Sequence, residues 1–237
     1  MRQKPRSSVS FSGQTVEGLK EGGKLQTRMF RQTMKITIII FDLGNTVLTN
    51  DWHVPQHRLE KAFVEYFNIS MENMENAWHK CWPRFSLGKM TEEEFWQDFL
   101  RQAGAENIGI LQARKIWSSH QKPIESMLDL LVKLKQNYKL AALTTISREW
   151  LDYKIQKFEL NKYFDVIVSS GYSGFGKDNP RIYDLIIDKL GVNPENCLLI
   201  DDSEAVIELA HKKNIQTILF TGQRNLETKL EKMGVKF

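Results

Sequence analysis

Cysteine is scarce in this chain of 237 residues, where Cys81 and Cys197 are the only two. Two cysteines build no disulfide framework, so a reducing, cytoplasmic setting is expected. Cys197 opens an apolar run and reads as a small buried hydrophobe. No apolar stretch approaches the length of a membrane span, and no membrane partner is expected. Internal repeats are lacking. Acids are sparse in residues 1–33, where seven basic side chains stand against only Glu17 and Glu21. That segment carries an excess of five positive charges, so the whole-chain value of +4 leaves the remainder one charge negative. A near-neutral body argues against a nucleic-acid-binding surface.

What is present is ordinary for a globule, with 41% hydrophobic and 26% charged residues. The length suits one sizeable domain, or a core with an inserted lid. Residues 1–33 lack hydrophobic periodicity and are expected to be a disordered basic extension. They read as upstream sequence joined to a start at Met34, with a basic interaction tail or an organelle-targeting peptide as alternatives.

The most informative stretch is Ile38-Ile39-Ile40-Phe41-Asp42-Leu43-Gly44-Asn45-Thr46-Val47. The run from Ile36 to Phe41 is mostly β-branched and short, which predicts a strand buried on both faces. It delivers Asp42 to the carboxyl end, where parallel sheets bind ligands; the alternative is an acid that only caps the next turn. A second apolar run, Cys197-Leu198-Leu199-Ile200, ends in Asp201-Asp202. Neighbouring carboxylates repel one another and resist desolvation, so a cation between them is expected. Asp42, Asp201 and Asp202 would then enclose one metal ion.

With these residues the chain resembles the haloacid dehalogenase superfamily, mostly phosphate-transferring hydrolases. Asp42-Leu43-Gly44-Asn45-Thr46 and Asp201-Asp202 are similar to its first and last motifs. Lys139-Leu140-Ala141-Ala142-Leu143-Thr144 resembles the second, an apolar run ending in a hydroxyl, and Gly176-Lys177-Asp178-Asn179-Pro180-Arg181-Ile182-Tyr183 the third. The resemblance covers Met34 to the C-terminus. It implies an α/β, Rossmann-like parallel sheet with helices on both faces and an inserted helical cap. It further implies a magnesium-dependent hydrolase of a small phosphorylated metabolite, such as a sugar phosphate, as a monomer or homodimer. Asp42 would be the nucleophile, forming an aspartyl-phosphate. Asp202 would hold magnesium directly, Asp201 through water, and the Gly44 carbonyl would supply another ligand. Thr144 and Lys177 would bind phosphate oxygens with Asn45 beside them, and Thr46 would orient Asp42 or merely complete the turn.

Three departures from the pattern matter. Gly44 stands where phosphatases of the family carry a second Asp, the acid for the leaving group, a function worth about 10²–10⁴-fold. Thr145 stands where Asn is common, and Asp178 where Pro is common. His53 or His57 would be the nearest substitutes for the missing acid, although cap-packing histidines are the plainer reading. Gly44 and Thr145 keep open a catalytically weak phosphate-binding or regulatory protein. A metal-independent dehalogenase is a further alternative, opposed by the Asp201-Asp202 pair, which would repel a carboxylate substrate.

The periodicity sets residues 51–121 apart as a helical insertion in a core of residues 34–50 and 122–237, and the resemblance implies that this insertion is the cap. In the cap, helices are expected over His57–Phe67, Glu72–Trp82, Thr91–Ala103 and Ile110–His120, the third started by Thr91 with Glu94. Trp52, Trp78, Trp82, Trp96 and Trp117 would pack a bundle there, one or two also facing substrate. A loop from Trp82 to Lys89 would carry Arg84 and Lys89, solvated or meeting a substrate anion. In the core, helices at 125–136, 149–158, 180–190 and 204–213 alternate with strands at 140–144, 165–169, 198–201 and 216–220, the pattern of parallel crossovers.

Overall fold

The computed structural model describes residues 35–49 and 58–237. The basic extension, Met34, Trp52, His53 and His57 lie outside the described residues.

The chain begins with β1 (Ile38–Phe41) and β2 (Leu48–Thr49), followed by α1 (Arg58–Phe67), α2 (Met71–Ser86), α3 (Glu92–Ala103) and α4 (Ile110–Ser119). It returns through β3 (Lys122–Pro123) to α5 (Glu125–Leu134), β4 (Lys139–Thr144) and α6 (Arg148–Phe158). Then come β5 (Val166–Ser169), the short α7 (Ser170–Ser173), α8 (Arg181–Leu190), β6 (Cys197–Asp201), α9 (Glu204–Lys212), β7 (Gln216–Leu219) and α10 (Gln223–Lys232).

Five strands form one parallel sheet in the order β5-β4-β1-β6-β7. The expected α/β architecture is thus present. Successive residues of β1 point to opposite faces, and both faces are apolar. Ile39 and Phe41 join one core with residues of α5, α6 and α10, whereas Ile38 and Ile40 join the other with residues of α8 and α9. Each fully buried branched or aromatic side chain contributes about 1.5–3 kcal/mol, which explains why an unbroken run, rather than an alternating one, marks these strands. Because β1 lies between β4 and β6, the strand order reverses at its edge, and a crevice opens at its carboxyl end.

The antiparallel pair β2–β3 places the start and end of the helical insertion side by side, Leu48 opposite Pro123 and Thr49 opposite Lys122. Within the insertion, Thr91 caps α3 as expected. Its Oγ1 accepts the Glu94 N–H at 3.2 Å, and Glu94 Oε2 accepts the Thr91 N–H at 2.7 Å. Helix α2 departs from expectation. It continues through Pro83 to Ser86, so the expected loop reduces to Leu87–Lys89. A mid-helix proline removes one backbone bond, to the carbonyl four residues earlier, here that of His79. Burial of Phe85 and Ser86 offsets that loss, and the Ser170 hydroxyl donates to the Ser86 carbonyl at 2.6 Å. Among the described residues, no helix is long and apolar enough to cross a membrane.

Candidate active site

Asp42 is the first residue beyond β1, and its N–H donates to the Ile200 carbonyl at 2.9 Å. The backbone then reverses tightly: the Leu43 carbonyl accepts from Val47 at 3.0 Å and from Leu48 at 2.8 Å. The reversal needs Asn45 at φ 56°, a left-handed angle that Asn tolerates better than most residues. Asp201 ends the neighbouring strand. Both carboxylates are buried, and one cation joins them: Lys177 Nζ lies 2.6 Å from Asp42 Oδ1 and 2.7 Å from Asp201 Oδ2.

Lys177 reaches that position from the loop before α8. Tyr183, fully buried on α8, donates from its hydroxyl to the Lys177 carbonyl at 2.7 Å and so fixes the loop backbone. Burial works against the Lys177 charge, but Asp42 and Asp201 outweigh it and hold the pKa above its ordinary value. Burial lifts the Asp42 carboxyl to about 7; Lys177 pulls it down, while Asp201 and Asp202 add to the rise. Asp202, although its residue surface is largely exposed, is also raised, first by the partial burial of its carboxyl and then by Asp201, with Lys177 and an Asn45 hydrogen bond opposing. Three carboxylates around one lysine leave the edge short of positive charge.

Asp42, Asp201 and Asp202, expected to enclose one ion, stand near enough for their charges to act on one another. Among the described residues, no three acidic, histidine or cysteine side chains are grouped closely enough to cage a metal. Lys177 occupies the space between Asp42 and Asp201, and the other Asp201 oxygen accepts the Ser203 N–H at 2.9 Å. Both oxygens of Asp201 are therefore engaged. Asp202 is exposed, and among the described residues no N–H or O–H is directed at the Gly44 carbonyl. The remaining donors still suit magnesium, which takes one or two carboxylates and keeps several waters. The deficit of positive charge and the Asn45 Oδ1, buried without a hydrogen-bond partner, agree with a cation there.

Other expected residues divide. Thr144 is buried at the end of β4 and lines a cavity with Gly44 and Thr145. Thr46 does not hold Asp42: its hydroxyl is fully buried and has no hydrogen-bond partner among the described residues. Arg84 turns away to Asp98 at 3.6 Å, and Lys89 is exposed.

The cavity at this edge measures about 330 Å³. Its walls include Trp78, Trp82 and Trp117 from the insertion and Trp150 from α6. Trp78 stacks on Trp82 at 4.7 Å between centroids, and Trp117 on Trp150 at 4.1 Å. Glu92 organises this wall from behind. Its Oε1 accepts from Trp96 Nε1 at 3.0 Å and Trp150 Nε1 at 3.1 Å, while Oε2 pairs with Arg114 at 3.0 Å. A second opening, lined by Lys177, Asp201 and Asp202, shares Trp82, Pro83 and Thr145 with the first. The aromatic cavity and the acidic edge therefore adjoin.

Two glycines permit the close approach of insertion and core. A Cβ on Gly88, which has φ 66°, would stand 2.3 Å from the Gly171 carbonyl oxygen; one on Gly171 would stand 2.6 Å from the Arg148 nitrogen. Neither position admits a larger residue without displacement of backbone.

A family model of haloacid dehalogenase-like hydrolases matches residues 36–212. The chain belongs to that family. It is 22% identical to flavin mononucleotide hydrolase 1 of Arabidopsis thaliana, over 97% of this chain and 89% of that one. It is 28% identical to N-acylneuraminate-9-phosphatase of Rattus norvegicus, over 71% of this chain and 75% of the other. Among solved structures, a family enzyme from Bacteroides thetaiotaomicron in complex with magnesium and inorganic phosphate superposes with a TM-score of 0.67 at 21% identity, covering 79% of this chain and 96% of that one.

Proposed function

We propose that the protein is a magnesium-dependent phosphatase of a small phosphorylated metabolite, with Asp42 as nucleophile. The observation that carries this reading is the buried Asp42 at the reversal of the strand order, held through one oxygen by Lys177 at 2.6 Å. The relatives named as a flavin mononucleotide hydrolase and an acylneuraminate phosphatase support the reaction class.

Lys177 takes Oδ1 and leaves Oδ2 without a donor among the described residues. That oxygen attacks phosphorus, and the bond from phosphorus to the ester oxygen breaks. Alignment in a dry site gives a carboxylate its reactivity. Lys177 offsets charge on both reacting groups, and the Thr144 hydroxyl donates to a phosphate oxygen. Asp201 holds Lys177 in place. Gly44 carries no acid, so the leaving oxygen departs with its charge and takes a proton from water. Water then attacks the aspartyl-phosphate, releasing phosphate and restoring Asp42. Asp42, Asp202 and the Gly44 carbonyl would hold magnesium, which would supply charge neutralisation at the transferred group.

Asp42→Asn should retain the fold and lose turnover of acetyl phosphate by several orders of magnitude. Undiminished turnover in that variant would remove the covalent mechanism. Gly44 favours a second reading, a slow phosphate-binding protein; in that case the wild type binds inorganic phosphate but shows no magnesium-dependent turnover.

A further inference from the structure

Two polar side chains in the aromatic cavity take no part in the chemistry above. Lys154 lies on α6, where a lysine ordinarily faces solvent, yet it is 5% exposed and lines the cavity. Among the described residues, no hydrogen-bond or ion-pair partner meets its ammonium, although the charge of Asp42 is felt there. Gln121 is 2% exposed and lines the same cavity. Its amide nitrogen donates to the Trp117 carbonyl at 3.3 Å, while its Oε1 is buried without a partner. A buried amide oxygen without a partner is costly, and an ammonium that faces the cavity without a protein counterion is short of one. Together they present one cationic donor and one acceptor in a cavity whose walls include four indoles.

We propose that Lys154 and Gln121 determine substrate specificity, selecting a phosphate ester whose leaving group is a flat aromatic or heteroaromatic ring with a carboxylate or carbonyl oxygen for Lys154 and an N–H or O–H for Gln121. The inference rests on the phosphatase reading and names its substrate class. Flat apolar walls suit a ring, and about 330 Å³ accommodates one or two fused rings. A polyhydroxylated sugar fits less well, because the hydroxyls that face the four indoles would be buried without partners. Burial holds the Lys154 pKa down to about 8, with Asp42 opposing; the side chain still carries its charge at neutral pH, and an anionic oxygen on the ligand would pair with it.

The test is binding, read by quenching of tryptophan fluorescence in the Asp42→Asn chain with magnesium present. 4-Carboxyphenyl phosphate should bind about tenfold more tightly than phenyl phosphate, the worth of one buried charge-assisted hydrogen bond. Lys154→Met should bring that ratio close to one, and Lys154→Arg should keep part of it. If Lys154 served only to attract the phosphate group, Lys154→Met would weaken both phosphates alike and the ratio would persist, which would overturn the proposal. Tighter binding of glucose 6-phosphate than of either ring would also overturn it. The two failures are separable. A wild type that binds no inorganic phosphate and hydrolyses no acetyl phosphate removes the phosphatase reading and this inference with it. One that does both, but shows no carboxylate preference, removes this inference alone.

Discussion

Glu92 and Trp150, 58 residues apart, are joined by a hydrogen bond of 3.1 Å from the indole Nε1 to the carboxylate Oε1. The bond ties α3 of the insertion to α6 of the core. The same oxygen accepts from Trp96, and its partner oxygen pairs with Arg114. Glu92→Ala should therefore strand two indole N–H groups and a guanidinium at once. A loss of about 2–4 kcal/mol is expected, visible as a lower denaturation midpoint. Glu92→Gln keeps an acceptor and should cost less than half as much. Equal midpoints for Glu92→Ala and wild type would show that the aromatic wall stands without this carboxylate.

The two adjacent acids should respond differently to substitution. Asp202→Asn should raise the magnesium concentration needed for half-maximal turnover by about tenfold or more, since Asp202 is the carboxylate free to meet a cation. Asp201→Asn should mainly lower kcat, because it loosens Lys177, whose ammonium lies 2.7 Å away. Magnesium titrations of both variants decide the matter; the opposite order would exchange the two assignments.

Lys154 should cost the protein stability. Its pKa is held down from 10.5 to about 8, chiefly by burial, equivalent to about 3 kcal/mol as an order of magnitude. Between those values the unfolded chain binds more protons than the folded one, so wild-type stability rises as pH increases from about 8 toward 10.5. Below pH 8 the penalty is present in full. Lys154→Met should thus melt several degrees higher than wild type at pH 7, and the gap should narrow at pH 10. A variant that melts lower at pH 7 would indicate that the ammonium has a stabilising partner.

Gly44 predicts a steep dependence of rate on leaving-group pKa. Across phenyl phosphates bearing uncharged substituents, with chemistry rate-limiting, poorer leaving groups should react progressively more slowly. Gly44→Asp should flatten the series, within the roughly 10²–10⁴-fold available to general acid catalysis. A flat wild-type series would mean that another proton donor serves the leaving oxygen.

The frame of the site was legible because its elements are short and extreme. Runs such as Ile38–Phe41 and Cys197–Ile200 admit little but a doubly buried strand, and each delivers an acid to the same edge. The third motif was legible through Lys177, whose neighbour Tyr183 anchors it. Legibility ended where a residue's role depends on tertiary surroundings. Lys154 follows Tyr153 on an ordinary amphipathic helix, and nothing local marks it as buried. The expected helix stopped at Trp82, yet packing of Phe85 carries α2 on through Pro83 to Ser86. Helix α10 was missed because it buries little more than Leu226 and Leu230, too sparse an apolar stripe to stand out. Thr46 could have oriented Asp42 or merely completed the turn, and only the missing partner of its buried hydroxyl decides between them.

The β2–β3 pair bears on how such a protein can change. The chain leaves the core after Thr49 and re-enters at Lys122, the two residues being direct partners across the ladder. Whatever lies between is closed off by a single antiparallel step, and the entropy of closing a loop grows only slowly with its length. The insertion can therefore be lengthened, trimmed or exchanged for a foreign one while the register of the parallel strands stays fixed. The walls supplied by the insertion can then change without touching the nucleophile, while Trp150 and Lys154 on α6 stay with the core; chimeras joined at Thr49 and Lys122 would show how much of the specificity travels with the insertion.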